Sequence, residues 1–114
     1  MEKSINKIHL RGNVGNDPKV SIVGESKVVK FAIATNEVFK DRTGALKEET
    51  TWHSVVIWQG KDMPSIDFIK KGRLIDVFGK VRMNKYKNSA GEDKVFYDVL
   101  ASNFQLVDFG KLEN

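Results

Sequence analysis

Apolar and polar residues alternate with a period of two through SKVVKFAIATNEVF, Ser26 to Phe39. Side chains of a strand point alternately to opposite faces, so Val29, Phe31 and Ile33 share one face while Lys30, Ala32 and Ala34 share the other. This is the signature of a half-buried strand, and it constrains the fold more than any other feature of the chain. The same texture recurs. INKIHLRGNVG sets Ile8 and Leu10 against His9 and Arg11, TTWHSVVIWQG is a further strand, and RLIDVFGKVRMNKYK and KVFYDVLASNFQLV complete the series. Turn signals separate them: GNDP (Gly15 to Pro18), the polar hairpin KDRTGALKEE with Gly44 near its tip, and NSAGED.

One stretch has a different spacing. In KDMPSIDFIKKG, Met63, Ile66 and Ile69 recur every third residue, Pro64 sits early, Lys70 and Lys71 come late, and Gly72 follows. The pattern predicts a short helix of about two turns. Five strands with one short helix between the third and fourth is the element order of an OB barrel. The expected fold is therefore all-β with one short helix, a five-stranded OB-fold barrel. Gly79, inside the fourth strand, suits a bulge or a tight bend where a small barrel curls. One domain is expected over residues 1–108, with a short tail over 109–114.

Composition narrows the chemistry. A chain of 114 residues is one domain's worth, with no repeat and no low-complexity tract. Without cysteine, thiolate metal sites, disulfides and thiol nucleophiles are excluded. His9 and His53 lack metal-ligand spacing, and GNVG lacks the flanks of a dinucleotide or phosphate-binding loop. Glu48 and Glu49 lie among hairpin charges and read as solvated. No enzyme, metal or cofactor is expected. The start, MEKSINKIHLRG, is too polar for a secretory signal, and no apolar run approaches the ~20 residues of a membrane span, so a soluble, cytoplasmic chain is expected. A net charge of +4 is compatible with a polyanionic partner and also with a mildly basic domain of no special partner.

Trp52 and Trp58 are the only tryptophans, and their even separation puts both on one face of the third strand with Ser54 and Val56. The other face carries Thr51, His53, Val55 and Ile57. Two indoles could anchor a core or form a platform for flat ligands, and periodicity alone allows both. A fully buried indole N–H needs a partner, and compact Val55 and Ile57 suit a small barrel better. The fourth strand favours the platform. Ile75, Val77, Gly79, Val81 and Met83 form an apolar row, and the opposite row is Phe78, Lys80, Arg82, Asn84 and Tyr86, running into Lys85 and Lys87. Rings interleaved with cations on an exposed strand face suit single-stranded nucleic acid, whose bases stack while its phosphates pair with Lys and Arg. The other hairpin repeats the combination, with Phe39 flanked by Lys40 and Arg42 and Lys47 on the return arm.

These residues resemble a known family. INKIHLRGNVGNDP, TTWHSVVIWQGK, IKKG and GKVRMNKYKNSAGED, in this order and spacing over nearly the whole chain, are similar to the bacterial-type single-stranded DNA-binding proteins. The resemblance implies an OB fold, sequence-tolerant binding of single-stranded DNA in replication, recombination and repair, and a homotetramer built as a dimer of dimers. It implies stacking by Phe39, Trp52, Trp58 and Tyr86. The family more commonly has Trp at the positions of Phe39 and Tyr86 and Phe at that of Trp58. Phosphate contacts are expected from Arg42, Lys47, Lys61, Lys71, Lys80, Arg82, Lys85 and Lys87. Family dimers pair through the first strand, which assigns Ile5, Lys7, His9 and Arg11 to the oligomer interface with His53 nearby. Cellular members usually add a flexible linker and an acidic tip that recruits replication enzymes. The sequence ends in DFGKLEN, so recruitment by that route is not expected. The competing readings are an adaptor module whose basic face is incidental and an enzyme; the residues give the enzyme little support.

Overall fold

The computed structural model describes residues 3–107. It holds six strands: β1 (Ile8–Val14), β2 (Lys19–Val23), β3 (Ser26–Lys40), β4 (Leu46–Trp58), β5 (Leu74–Lys87) and β6 (Asp93–Leu106). Five of them close a barrel in the order β1-β5-β6-β4-β3, and β3 returns to β1 through Asn13–Ala34 and Val14–Ile33. All junctions are antiparallel except β4–β6, a parallel seam of Val55–Val99, Val56–Leu100 and Ile57–Ala101. The expected five-stranded OB barrel is present.

Alternation puts the core where periodicity placed it. Val29, Phe31, Ile33, Val55, Ile57, Ile75, Val77 and Phe104 fill the barrel at 4% exposure or less, and Ile8 and Leu10 pack against them. Gly79 marks an irregularity: Phe78 pairs with Asn103 but Gly79 with Ala101, leaving Ser102 as the extra residue of a bulge. The backbone of β6 comes so close there that a Cβ on Gly79 would overlap the Leu100 carbonyl oxygen.

Two elements differ from expectation. The helix of two turns is a single 3₁₀ turn, Ile66–Phe68, capped by the Ser65 hydroxyl, which accepts from the Asp67 N–H. Ile69 is already extended, at φ −81° and ψ 112°. A spacing of three fits the three-residue period of a 3₁₀ turn, and the segment needs only to seat Ile66 and Ile69 in the barrel end. Gln59 ties this plug down, accepting from the Ile66 N–H at 2.7 Å and donating to the Pro64 carbonyl at 3.1 Å. The second difference is β2, a strand beyond the expected five. It pairs with Ser26–Lys30 across a two-residue loop opening on Gly24, outside the ring. Every residue of β2 is exposed, so it carries no in–out pattern to betray it.

Beyond the barrel, β3–β4 and β5–β6 continue as two hairpin arms. Their tips are built alike. The side-chain oxygen of Asp41 accepts from the N–H groups of Thr43 and Ala45, and that of Asn88 from those of Ala90 and Glu92. A glycine at φ 86° (Gly44) or 79° (Gly91) closes each loop, a backbone conformation that favours glycine. The two arms thus share one loop chemistry, an Asx turn followed by a left-handed glycine. No helix of the described residues is long and apolar enough to cross a membrane.

Candidate nucleic-acid interface

The parity of β4 decides the position of the tryptophans. Val55 and Ile57 point into the barrel at 1% and 0% exposure, so Trp52 and Trp58 point out, at 60% and 42%. Trp52 lies flat over the β1 exit: its six-membered ring occupies the space a Cβ on Gly15 would take. The Gly15 N–H donates to the Ala32 carbonyl and the Ala32 N–H to the Asn16 side chain, which holds this floor against β3. Trp58 forms one wall of an open cleft of about 990 Å³, lined also by Met63, Phe78, Lys7 and Lys80.

On β5 the outward row is Phe78, Lys80, Arg82, Asn84 and Tyr86, as the alternation indicates. Tyr86 is about half exposed and opposes Lys94. The facing apolar row behaves differently along its length. Ile75 and Val77 are buried, but Val81 and Met83 are 38% and 48% exposed, because the strand leaves the barrel there and nothing among the described residues covers them. Phe39 is exposed near the tip of the other arm. It registers against Lys47 and has the parity of Ile33, opposite to that of Trp52. Trp52, Trp58 and Tyr86 therefore share the outward parity of the sheet, and Phe39 does not.

The cations divide into two groups. Arg82 grips Asp98 with both nitrogens at 3.1 and 3.0 Å. Lys87 lies 3.4 Å from Asp93 and Lys47 3.9 Å from Asp41. Arg42, Lys61, Lys71, Lys80 and Lys85 are exposed and have no acidic partner within ion-pair distance among the described residues. The Arg82 hydrogen bonds hold the Asp98 carboxyl below its usual range despite its burial, with a smaller contribution from Lys30.

On β1, Lys7, His9 and Arg11 take the outward parity, and Ile5 is 82% exposed just before the strand. Asp76 collects two of them: Arg11 binds it at 2.8 and 2.9 Å, and His9 Nε2 lies 3.2 Å away. Arg11 foremost, then His9, pull the Asp76 pKa down against the cost of burial. The His9 ring stacks on Phe78 with centroids 4.4 Å apart. His53 sits at the barrel mouth, its Nε2 2.9 Å from the Thr35 hydroxyl. Among the described residues no group of three or more His, Asp and Glu is arranged to hold a metal ion.

Relatives place this geometry. The sequence profile of the Single-strand binding protein family matches residues 5–107. The chain belongs to the single-strand binding protein family. The "Single-stranded DNA-binding protein" of Rickettsia felis is 36% identical over 107 residues, covering 91% of this chain and 70% of that one. The Neisseria meningitidis serogroup A protein of the same name is 31% identical over 112 residues, covering 97% of this chain and 64% of the relative. Among solved structures, a Plasmodium falciparum SSB complex with ssDNA superposes with a TM-score of 0.81 at 33% identity, over 95% of this chain and 99% of the other. A Thermus aquaticus single-stranded DNA binding protein shares the fold, with a TM-score of 0.75 at 22% identity, over 91% of this chain and 51% of that one.

Sequence reasoning passed over two rings of this family member. Phe96 and Tyr97, neighbours on β6, are 47% and 63% exposed on opposite faces of the distal arm. They sit in a run, KVFY, that is apolar without alternating. Only the register against β5 separates their faces.

Proposed function

We propose that this chain is a non-catalytic single-stranded DNA-binding protein that tolerates any sequence. Bases stack on Trp52, Trp58, Tyr86 and Phe39. Phosphates are held by Arg42, Lys47, Lys61, Lys71, Lys80, Arg82, Lys85 and Lys87, with the charges of Arg82, Lys47 and Lys87 partly offset by their acidic partners. The observation that carries this reading is the outward exposure of both indoles beside a cationic strand face. A ring stacks on any base, so affinity comes without sequence readout, and counterion release adds a salt-dependent contribution. The matching fold of a relative solved with ssDNA supports the same reading. The proposal extends to a cytoplasmic homotetramer serving replication, recombination and repair, paired through the outward side chains Ile5, Lys7, His9 and Arg11 with His53 nearby.

Replacing each indole tests it. Trp52→Ala and Trp58→Ala should each weaken binding of a labelled oligo-dT by roughly fivefold or more while the fold is retained, since a stacked base contributes about 1–3 kcal/mol. In the unaltered chain, oligo-dT should quench tryptophan emission, less so at high salt. Quenching that is absent, or binding that falls only as the fold is lost, would overturn the reading.

A further inference from the structure

Phe96 occupies a place that only the strand topology reveals. It pairs with Asn84 of β5, and its ring meets that of Tyr86 edge to face, with centroids 5.8 Å apart and planes at 62°. On its other side β6 neighbours β4 in parallel, with Val56 level with Leu100. Stepping back by two residues on both strands sets Ser54 level with Asp98, and two more set Trp52 level with Phe96. Residues of matched parity on neighbouring strands project to one face. Asp98 confirms which face this is. It bonds Arg82 of the outward β5 row and feels the charge of Lys30, the cross-strand partner of outward Val56. Trp52, Phe96 and Tyr86 therefore stand on the same face of three successive strands, β4, β6 and β5. The β4–β6 ladder ends at Val55–Val99, so the sheet opens between Trp52 and Phe96.

We propose that Phe96 is a further base-stacking residue, the middle step of a path of rings from Trp52 to Tyr86. This rests on the single-strand-binding reading above. Adjacent paired strands lie about 4.8 Å apart, so roughly 10 Å or more separates β4 from β5. Without Phe96, a single strand crossing that interval would have no ring to stack on. The edge-to-face contact with Tyr86 leaves about half of the Phe96 ring open, and it fixes the ring's tilt before a base arrives. Lys94 opposite Tyr86 and the Arg82 side chain one row along supply cations on either side of the step. The occupant is a nucleobase of a single strand, and stacking gives it no sequence preference.

The test uses the full chain, a fluorescently labelled dT oligomer read by anisotropy, and circular dichroism to follow the fold. Phe96→Ala and Phe96→Leu should each bind at least about fivefold more weakly, the leucine because it keeps bulk and loses the π face. Phe96→Trp should bind as the parent does, and its added indole should be quenched by the oligomer. Tyr97→Ala, on the opposite face, should leave affinity unchanged. Should the alanine variant lose its fold, the leucine and tryptophan variants decide. Parental affinity in Phe96→Leu, with the Phe96→Trp indole unquenched, overturns the inference alone. Failure of the unaltered chain to bind oligo-dT overturns the single-strand reading itself, and this inference with it.

Discussion

Adding one methyl group beneath Trp52 should separate the stacking platform from the fold that carries it. A Cβ on Gly15 would overlap Trp52 Cζ3 and lie 2.7 Å from Cη2 and 3.1 Å from Cε3. Carbon atoms pack at about 3.5–4.0 Å, so the ring must retreat by roughly 1 Å or swing away. It is free to do so, because the indole is 60% exposed and the clash involves its outer edge. The fold should therefore lose little. Relieved contacts cost perhaps a few tenths of a kcal/mol, and the stiffer unfolded chain of an alanine returns about 0.4–1 kcal/mol. Binding should suffer more, since displacing the ring forfeits part of a stacking contribution of about 1–3 kcal/mol, which in full is roughly 5- to 150-fold in affinity. Trp52→Ala sets the ceiling for Gly15→Ala, and the double variant should bind no more weakly than Trp52→Ala, because both act through one ring. Oligo-dT anisotropy titrations of the three variants, with thermal melts alongside, provide the measurement. Additive losses in the double variant, or a collapse of the melting temperature in Gly15→Ala, would refute the reasoning.

Two further outcomes follow from other contacts. Gly79→Ala should destabilise the barrel by about 1–3 kcal/mol or more, because its Cβ would overlap the Leu100 carbonyl oxygen and lie 2.7 Å from the Ala101 Cα, and backbone cannot swing aside as an exposed ring does; a melt within error of the parent contradicts this. Asp76 and Asp98 have depressed pKa values in the folded chain, so their contribution to stability is complete above the unfolded carboxylate value near 4 and is lost as pH falls through the folded values below it. The Asp76→Asn, Asp98→Asn double variant should thus be less stable at pH 7 and show a shallower acid decline in denaturant midpoints, and an acid decline parallel to the parent's would contradict it.

What the residues disclosed in advance follows from what periodicity measures. Alternation reports which face a side chain takes, so the cores of β3 and β4 and the outward turn of Trp52 and Trp58 were legible. It does not report depth: Val81 and Met83 continue the apolar row of Ile75 and Val77 but stand outside the barrel, where the same parity meets solvent. Nor does it see a strand wet on both faces, which is why β2 was missed. The spacing of Met63, Ile66 and Ile69 fits more than one helical period, and the short span between β4 and β5 favoured the tighter turn. Phe96 was hidden for a further reason. Its significance lies in the parallel neighbour across the seam, a relation between distant segments that no local pattern encodes.

That seam also sets the order in which the chain acquires its shape. The two long hairpins each connect residues close in sequence, through loops of a few residues, and such ribbons form on a timescale of about 1–10 μs. Joining Val55 to Val99 confines a far longer loop and is repaid by only three residue pairs. The expected last event of folding is the meeting of two ready-made ribbons along one short edge, with the rate governed by that encounter.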